Sequence, residues 1–178
     1  MQSTIVFTLT GPDRVGIVEE VTGALLNLGA NVETSRMARL GGDFAILMLV
    51  SLSAEQLANL EPALEYLADQ GYKLTTTQTE KSPSAIRTRC LAYRIDVRGA
   101  DHEGIVHDIA HGLSQKGINI ESMETSTSPA PVSGTPLFSM TAVVAVPPDL
   151  PEDDWKVALA EAGHQSNVDV TVTRAETM

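Results

Sequence analysis

The chain has a single cysteine, a single tryptophan and only 4% aromatic residues in its 178 positions. One thiol, Cys90, cannot close an internal disulfide, so packing must hold the fold, and a reducing, cytoplasmic compartment is expected. Long apolar runs are also missing. The longest, Phe44–Val50, falls far short of the ~20 residues of a membrane helix. Met1-Gln-Ser-Thr lacks the basic start of an export signal, and the apolar residues after it alternate with threonine. No membrane association is expected.

Basic residues are scarce. The net charge is −11, with 4 Lys/Arg against 10 Asp/Glu in residues 1–80 and 8 against 13 in residues 81–178. Neither half has the basic face that phosphate neutralisation requires. The nearest approach is Lys81, Arg87 and Arg89, followed by Arg94 and Arg98, which reads as a solvated linker and strand. Direct nucleic-acid contact is not expected.

What the chain does have is a repeat. Gly11-Pro-Asp-Arg-Val-Gly-Ile-Val returns as Gly99-Ala-Asp-His-Glu-Gly-Ile-Val, and the register holds from Gly11–Met37 to Gly99–Thr125 at a constant offset of 88. The identical pairs are Gly11/Gly99, Asp13/Asp101, Gly16/Gly104, Ile17/Ile105, Val18/Val106, Leu25/Leu113, Gly29/Gly117, Asn31/Asn119 and Glu33/Glu121. One supersecondary unit has been built twice. Apolar identities are what any duplicated core keeps, whereas repeated Gly, Asp, Asn and Glu at element ends suggest a repeated site.

Residues 4–10 alternate as a strand, and Val18, Val21, Leu25 and Leu28 follow at helical spacing up to Gly29. Asn31–Leu40 and Phe44–Leu52 form a hairpin around Gly41-Gly42. Ser53 with Gln56 predicts a capping box for a second helix running to Gly71, and Tyr72–Thr79 predicts a last strand. The second half predicts strand Arg89–Val97, helix Glu103–Lys116, strands Ile118–Thr127 and Pro136–Val146, helix Glu152–Ala162 and strand Val168–Thr173. Its hairpin loop, Ser128–Pro136, is six residues longer. The expected class is α+β: two ferredoxin-like βαββαβ domains in tandem, residues 1–80 and 89–178, joined by a linker at 81–88.

The first loop runs from a strand end into a helix start, where exposed N–H groups and the helix dipole favour an anion. Gly11 and Gly16 would let a ligand approach the backbone. Asp13 can accept from an ammonium group, and Asn31 is expected to reach the same place. Together these suit a free α-amino acid. The competing reading is that Asp13 only caps the helix and Asn31 only tolerates a turn.

Gly11-Pro-Asp-Arg-Val-Gly-Ile-Val with Gly29-Ala-Asn31-Val resembles the signature of ACT domains. The tandem pair, with Ser35–Val50 in the first half and Gly134-Thr-Pro-Leu-Phe-Ser-Met in the second, resembles the glycine cleavage system transcriptional repressor family along essentially the whole chain. This resemblance implies an effector held between two modules by the first loop and the residue matching Asn31. It points to Gly11, Asp13, Arg14, Val15, Gly16 and Asn31, and to Asp101, His102, Gly104 and Asn119. Two departures, Ala100 for Pro12 and Glu103 for Val15, make the second copy different, and the first copy is the preferred site. The resemblance further implies a regulator that senses a small amino acid, glycine or serine first, and acts through a transcription-factor or enzyme partner. Open sheet edges lead us to expect a homo-oligomer.

Sharper chemistry is not found. His107-Asp-Ile-Ala-His111 has the spacing of a zinc helix but lacks the glutamate and third ligand of the metalloprotease motif. On a helical wheel Ile105, Val106, Ile109 and Leu113 form the buried side and the two histidines the opposite one. Cys90 reads as structural, Gly11-x4-Gly16 lacks the Lys-Ser/Thr of a phosphate loop, and Trp155 reads as a half-buried packing residue. No catalytic constellation, metal or cofactor is expected. The alternatives are a regulatory subunit or ACT-bearing relative of an enzyme such as formyltetrahydrofolate deformylase, for which the chain leaves no room for a catalytic domain, and a pairing scaffold that binds nothing.

Overall fold

The computed structural model describes residues 2–79 and 90–175, so the expected linker at 81–88 lies outside the described residues. The chain forms two compact units. In the first, the elements are β1 (Gln2–Pro12), α1 (Ile17–Asn27), β2 (Asn31–Leu40), β3 (Asp43–Ser53), α2 (Ala54–Leu64), α3 (Tyr66–Asp69) and β4 (Lys73–Gln78). In the second they are β5 (Leu91–Ala100), α4 (Ile105–Gln115), β6 (Asn119–Pro129), β7 (Pro136–Val146), α5 (Glu152–Gln165) and β8 (Val168–Arg174). The sheets are four-stranded with orders β2-β3-β1-β4 and β6-β7-β5-β8, and every pairing is antiparallel. This is the βαββαβ arrangement, twice.

Alternation decides which side is buried. Ile5, Phe7 and Leu9 of β1 and Ile46, Met48, Val50 and Leu52 of β3 form one core with Ile17, Val21 and Leu25 of α1 and Leu60, Leu64 and Leu67 of the second helical stretch. Tyr93, Ile95 and Val97 of β5 pack in the same way with Ile105, Ile109, Leu113, Trp155 and Leu159. At ~25 cal/mol per Å² of buried apolar surface, these clusters are the main source of stability.

Four expectations change. The second helical stretch of the first unit is broken at Glu65 between α2 and α3; Pro62, inside α2, removes one backbone donor. Its start is as predicted, with the Gln56 N–H donating to Ser53 Oγ at 3.2 Å. Val106 is 40% exposed and not on the buried side of α4. Trp155 is only 1% exposed: its ring meets Tyr93 edge-on with centroids 5.1 Å apart, and Lys156 Nζ lies over both rings. Helix α4 begins at Ile105, two residues after the predicted start, because Gly104 occupies the N-cap.

Candidate functional site

The two first loops are built alike. Each helix starts at a glycine with positive φ, Gly16 at 91° and Gly104 at 97°, and neither helix has a side-chain cap. A left-handed N-cap is open to glycine at little cost. The first-turn N–H groups of α1 and α4 are therefore unclaimed by any capping side chain, as anion binding at a helix start requires. The loop backbones are pinned across the sheet end by Asp13 N–H donating to Gly42 O at 3.0 Å and Asp101 N–H to Pro136 O at 2.9 Å.

Asp13 does not cap α1. Its Oδ2 is 3.0 Å from Arg39 Nε, an ion pair in which the arginine side chain is 68% exposed. Position 127, the counterpart of 39 at the repeat offset, is threonine, and Thr127 Oγ1 donates to Asp101 Oδ2 at 3.4 Å. The first acid thus pairs with a guanidinium and the second with a hydroxyl. Val15, at the loop tip, is fully exposed, where the second loop has Glu103.

Arg14 and His102 tie their loops to the turn before the last strand. The Arg14 guanidinium donates to Glu20, donates to Gln70 Oε1 at 2.9 Å and lies 5.6 Å from the centre of the Tyr72 ring. The hydrogen bond from Arg14 holds the Glu20 carboxyl below its ordinary range. His102 Nε2 lies 2.6 Å from Ser166 O, and Nδ1 lies 2.9 Å from Glu103 O. Ser166 Oγ donates to Asp108, the counterpart of Glu20, at 2.7 Å. Glu20, Gln70, Tyr72, Asp108 and Ser166 were not identified from sequence; an acid recurring at 20 and 108 was the available signal.

Gly11 and Gly99 serve packing. A β-carbon at Gly11 would lie 2.5 Å from Tyr72 Cδ1, and one at Gly99 would lie 2.6 Å from Val168 Cγ1. The expectation that Gly11 exposes backbone to a ligand therefore gives way to close contact with the incoming last strand. Gly16 has open space at the corresponding position.

Asn31 is not brought to the loop of its own unit. It pairs with Ser51, which pairs with Thr4, whereas Gly11 lies seven residues further along β1 beside Phe44. At ~3.3 Å per residue the separation is roughly 23 Å. Asn119 has the same relation to its loop, through Ala145 and Ala92. The reason is topological: β2 runs parallel to β1 with β3 between, so it starts at the opposite end. Asn119 Nδ2 donates to Glu121 Oε1 at 2.9 Å. Both sheets shift register between the flanking residues of Glu33 and of Glu121, so the repeated glutamate marks a repeated bulge.

A shallow depression of about 520 Å³ opens at the first loop, lined by Asp13, Arg14, Gly16, Thr22 and Phe44 among others. A groove of about 590 Å³ between α2–α3 and β4 contains none of the predicted site residues. His107 and His111 stack on α4 with ring centres 6.0 Å apart. Among the described residues no group of three or more His, Cys, Asp or Glu could hold a metal ion, and no helix is long and apolar enough to cross a membrane.

Duplicated βαββαβ units carrying this loop define a tandem ACT-domain protein, and residues 3–76 match the ACT domain family model. The chain is related to the glycine cleavage system transcriptional repressor of Escherichia coli (strain K12). The two are 28% identical over 130 residues, 72% of this chain and 67% of that protein, and the Shigella flexneri repressor matches equally. A crystal structure of an unknown protein from Galdieria sulphuraria is similar along 99% of this chain and 100% of its own, at 37% identity and TM-score 0.83. The crystal structure of a putative glycine cleavage system transcriptional repressor shares the fold over 99% of each chain, at 22% identity and TM-score 0.70. The named sequence relatives are regulators.

Proposed function

We propose that this protein senses a small amino acid, glycine or serine being the first candidates, and passes the signal to a protein partner in the manner of a glycine cleavage system repressor. The observation that carries this reading is the pair of helix starts at Gly16 and Gly104, each without a side-chain cap and each preceded by a carboxylate, Asp13 or Asp101. The ligand carboxylate would meet the N–H groups, and the ligand ammonium the acid. The roughly 23 Å between Asn31 and its own loop means that Asn31 would reach a ligand at such a loop only from a second copy of the chain. Asp13, Arg14, Val15 and Gly16 would form the first site and Asp101, His102 and Gly104 the second, with Asn31 and Asn119 contributed by a second copy of the chain. Binding of this kind acts by favouring one arrangement of modules over others.

A pairing scaffold that binds nothing is favoured by a different observation. Asp13, Asp101 and Asn119 each have a partner inside their own unit. Calorimetric titration of the intact chain with glycine, serine and a panel of other amino acids separates the two, beside an Asp13→Ala, Asn31→Ala variant and its Asp101→Ala, Asn119→Ala counterpart. Saturable heat with one amino acid, lost in one of the variants, is the expected result. A folded chain that gives no saturable heat with any of them leaves the scaffold.

A further inference from the structure

Arg14 and His102 stand at the same position of the repeat and perform the same mechanical task with different chemistry. A guanidinium keeps its charge at every pH at which proteins fold. The imidazole of His102 does not, and its surroundings distinguish its two states. Nε2 lies 2.6 Å from the Ser166 carbonyl oxygen and Nδ1 lies 2.9 Å from the Glu103 carbonyl oxygen. A carbonyl oxygen only accepts, so both contacts are hydrogen bonds only when both ring nitrogens carry protons. Neutral imidazole donates once and turns a lone pair towards the other oxygen. The Ser166 carbonyl does not drift away to relieve this: Ser166 is 3% exposed and its hydroxyl is bonded to Asp108 of α4.

We propose that His102 is a proton-operated latch on the second loop: its cation bonds at once to Ser166 O at the end of α5 and to Glu103 O within the loop, and loss of one proton gives up one of these two bonds. The first loop, fastened by Arg14, has no such release. Charged groups acting on the ring are Asp101 on its own loop and Asp108 on α4, and both favour the cation; α5 presents the Ser166 carbonyl. These contacts, Ser166 first and Glu103 second, raise the histidine above its ordinary 6.5 against the opposing effect of partial burial. Because the folded value is the higher one, the latch is complete below pH 6.5 and loses one of its two bonds as pH rises through the raised value. Resting on the ligand reading above, the consequence is that amino-acid binding at the second loop changes as His102 loses its proton and binding at the first does not.

The latch is tested without ligand, so its failure and that of the sensor reading are separable. Proton NMR follows the His102 ring in the intact chain from about pH 5 to 8, while amide exchange is read at residues 101–104 and at 13–16 in the same sample. The expected result is a His102 midpoint above 6.5 and loss of protection at 101–104 on that midpoint. The ratio to the 13–16 amides should fall by up to about tenfold per pH unit, the limit for one proton. In His102→Arg, which copies the first loop, that pH dependence disappears. A midpoint at or below 6.5, or a 101–104 to 13–16 ratio that stays constant with pH in the unsubstituted chain, overturns the proposal, and neither requires the variant to fold.

Discussion

Gly11 lies against the ring of Tyr72 so closely that a β-carbon there would stand 2.5 Å from Cδ1 and 3.0 Å from the tyrosine α-carbon. The Tyr72 hydroxyl then reaches back to donate to Pro12 O at 2.7 Å, so ring and strand end brace each other. Gly11→Ala is expected to destabilise the first unit by about 1–3 kcal/mol through overpacking. Gly99→Ala should cost the second unit a similar amount, since its β-carbon would meet Val168 Cγ1 at 2.6 Å and the Asn167 carbonyl at 3.0 Å. Urea unfolding measures both; unchanged midpoints would mean that the last strands move aside.

Much of this architecture was legible in the residues. Alternation at 4–10 and helical spacing from Val18 to Leu28 identify elements because one buried face leaves a period behind. The repeat offset showed that the helix starts at Gly16 and Gly104 are equivalent. What the residues did not show is which strand end a residue reaches in space. Asn31 and Asp13 are near in sequence, yet a helix and a strand direction separate them, and only the order β2-β3-β1-β4 reveals it. Glycine was equally ambiguous: Gly11 is required by the Tyr72 ring and Gly16 by its backbone angle, and the same letter serves both needs. The Asp13–Arg39 pair spans a hairpin and leaves no local periodic signal.

Gly163→Ala tests why the two units differ at their last helix. In the second unit α5 is unbroken and lies flush on β8, where a β-carbon at Gly163 would stand 2.4 Å from Val170 Cγ2 and 3.1 Å from the Val168 carbonyl. Counting back from the paired turns at Gly71 and Asn167, the first unit has Leu67 at this position, buried in the core. The first unit thus carries a full side chain where α5 carries only a hydrogen, and in that unit a groove lies between α2–α3 and β4. The alanine variant should lose about 1–3 kcal/mol in the second unit alone. Urea unfolding with separate probes for each unit checks this, Trp155 reporting the second; no change in its transition would show that α5 can lift at no cost.

Asp96 is the centre of a small ionic network on β5. Arg94 donates to its two oxygens through Nε and Nη2, each at 2.8 Å, and Thr141 Oγ1 donates to Oδ1 at 2.8 Å. The Arg94 bonds, then the Thr141 bond, hold the Asp96 carboxyl below its ordinary 3.8. Its folded value is therefore the lower one, so the stabilisation is complete above about pH 4 and is lost as pH falls through the lowered value. Arg94 is half exposed, so Asp96→Asn should cost only about 1 kcal/mol at neutral pH, and the difference from the unsubstituted chain should shrink on acidification. Denaturation midpoints at neutral and acid pH read this directly; a difference that grows on acidification would contradict it.

Val15 and Glu103 make the two loops electrostatically unequal, and exchanging them separates ligand binding from folding. Val15 is fully exposed at the loop tip, so replacing it breaks no packing, and Val15→Glu should leave stability within about 0.5 kcal/mol. It would nevertheless place a carboxylate beside the N–H groups at the start of α1, next to the position proposed for the ligand carboxylate. Like charges about 6 Å apart at an effective dielectric near that of a protein surface repel by a few kcal/mol before salt screening. After screening, roughly a tenfold loss of amino-acid affinity at the first loop is expected, shrinking as salt is added. Glu103→Val should strengthen binding at the second loop in the same sense. Calorimetry at low and high salt reads both. A Val15→Glu chain that binds as tightly as the unsubstituted one would place the ligand carboxylate elsewhere, and unchanged affinity in both variants would remove the helix starts from the binding site.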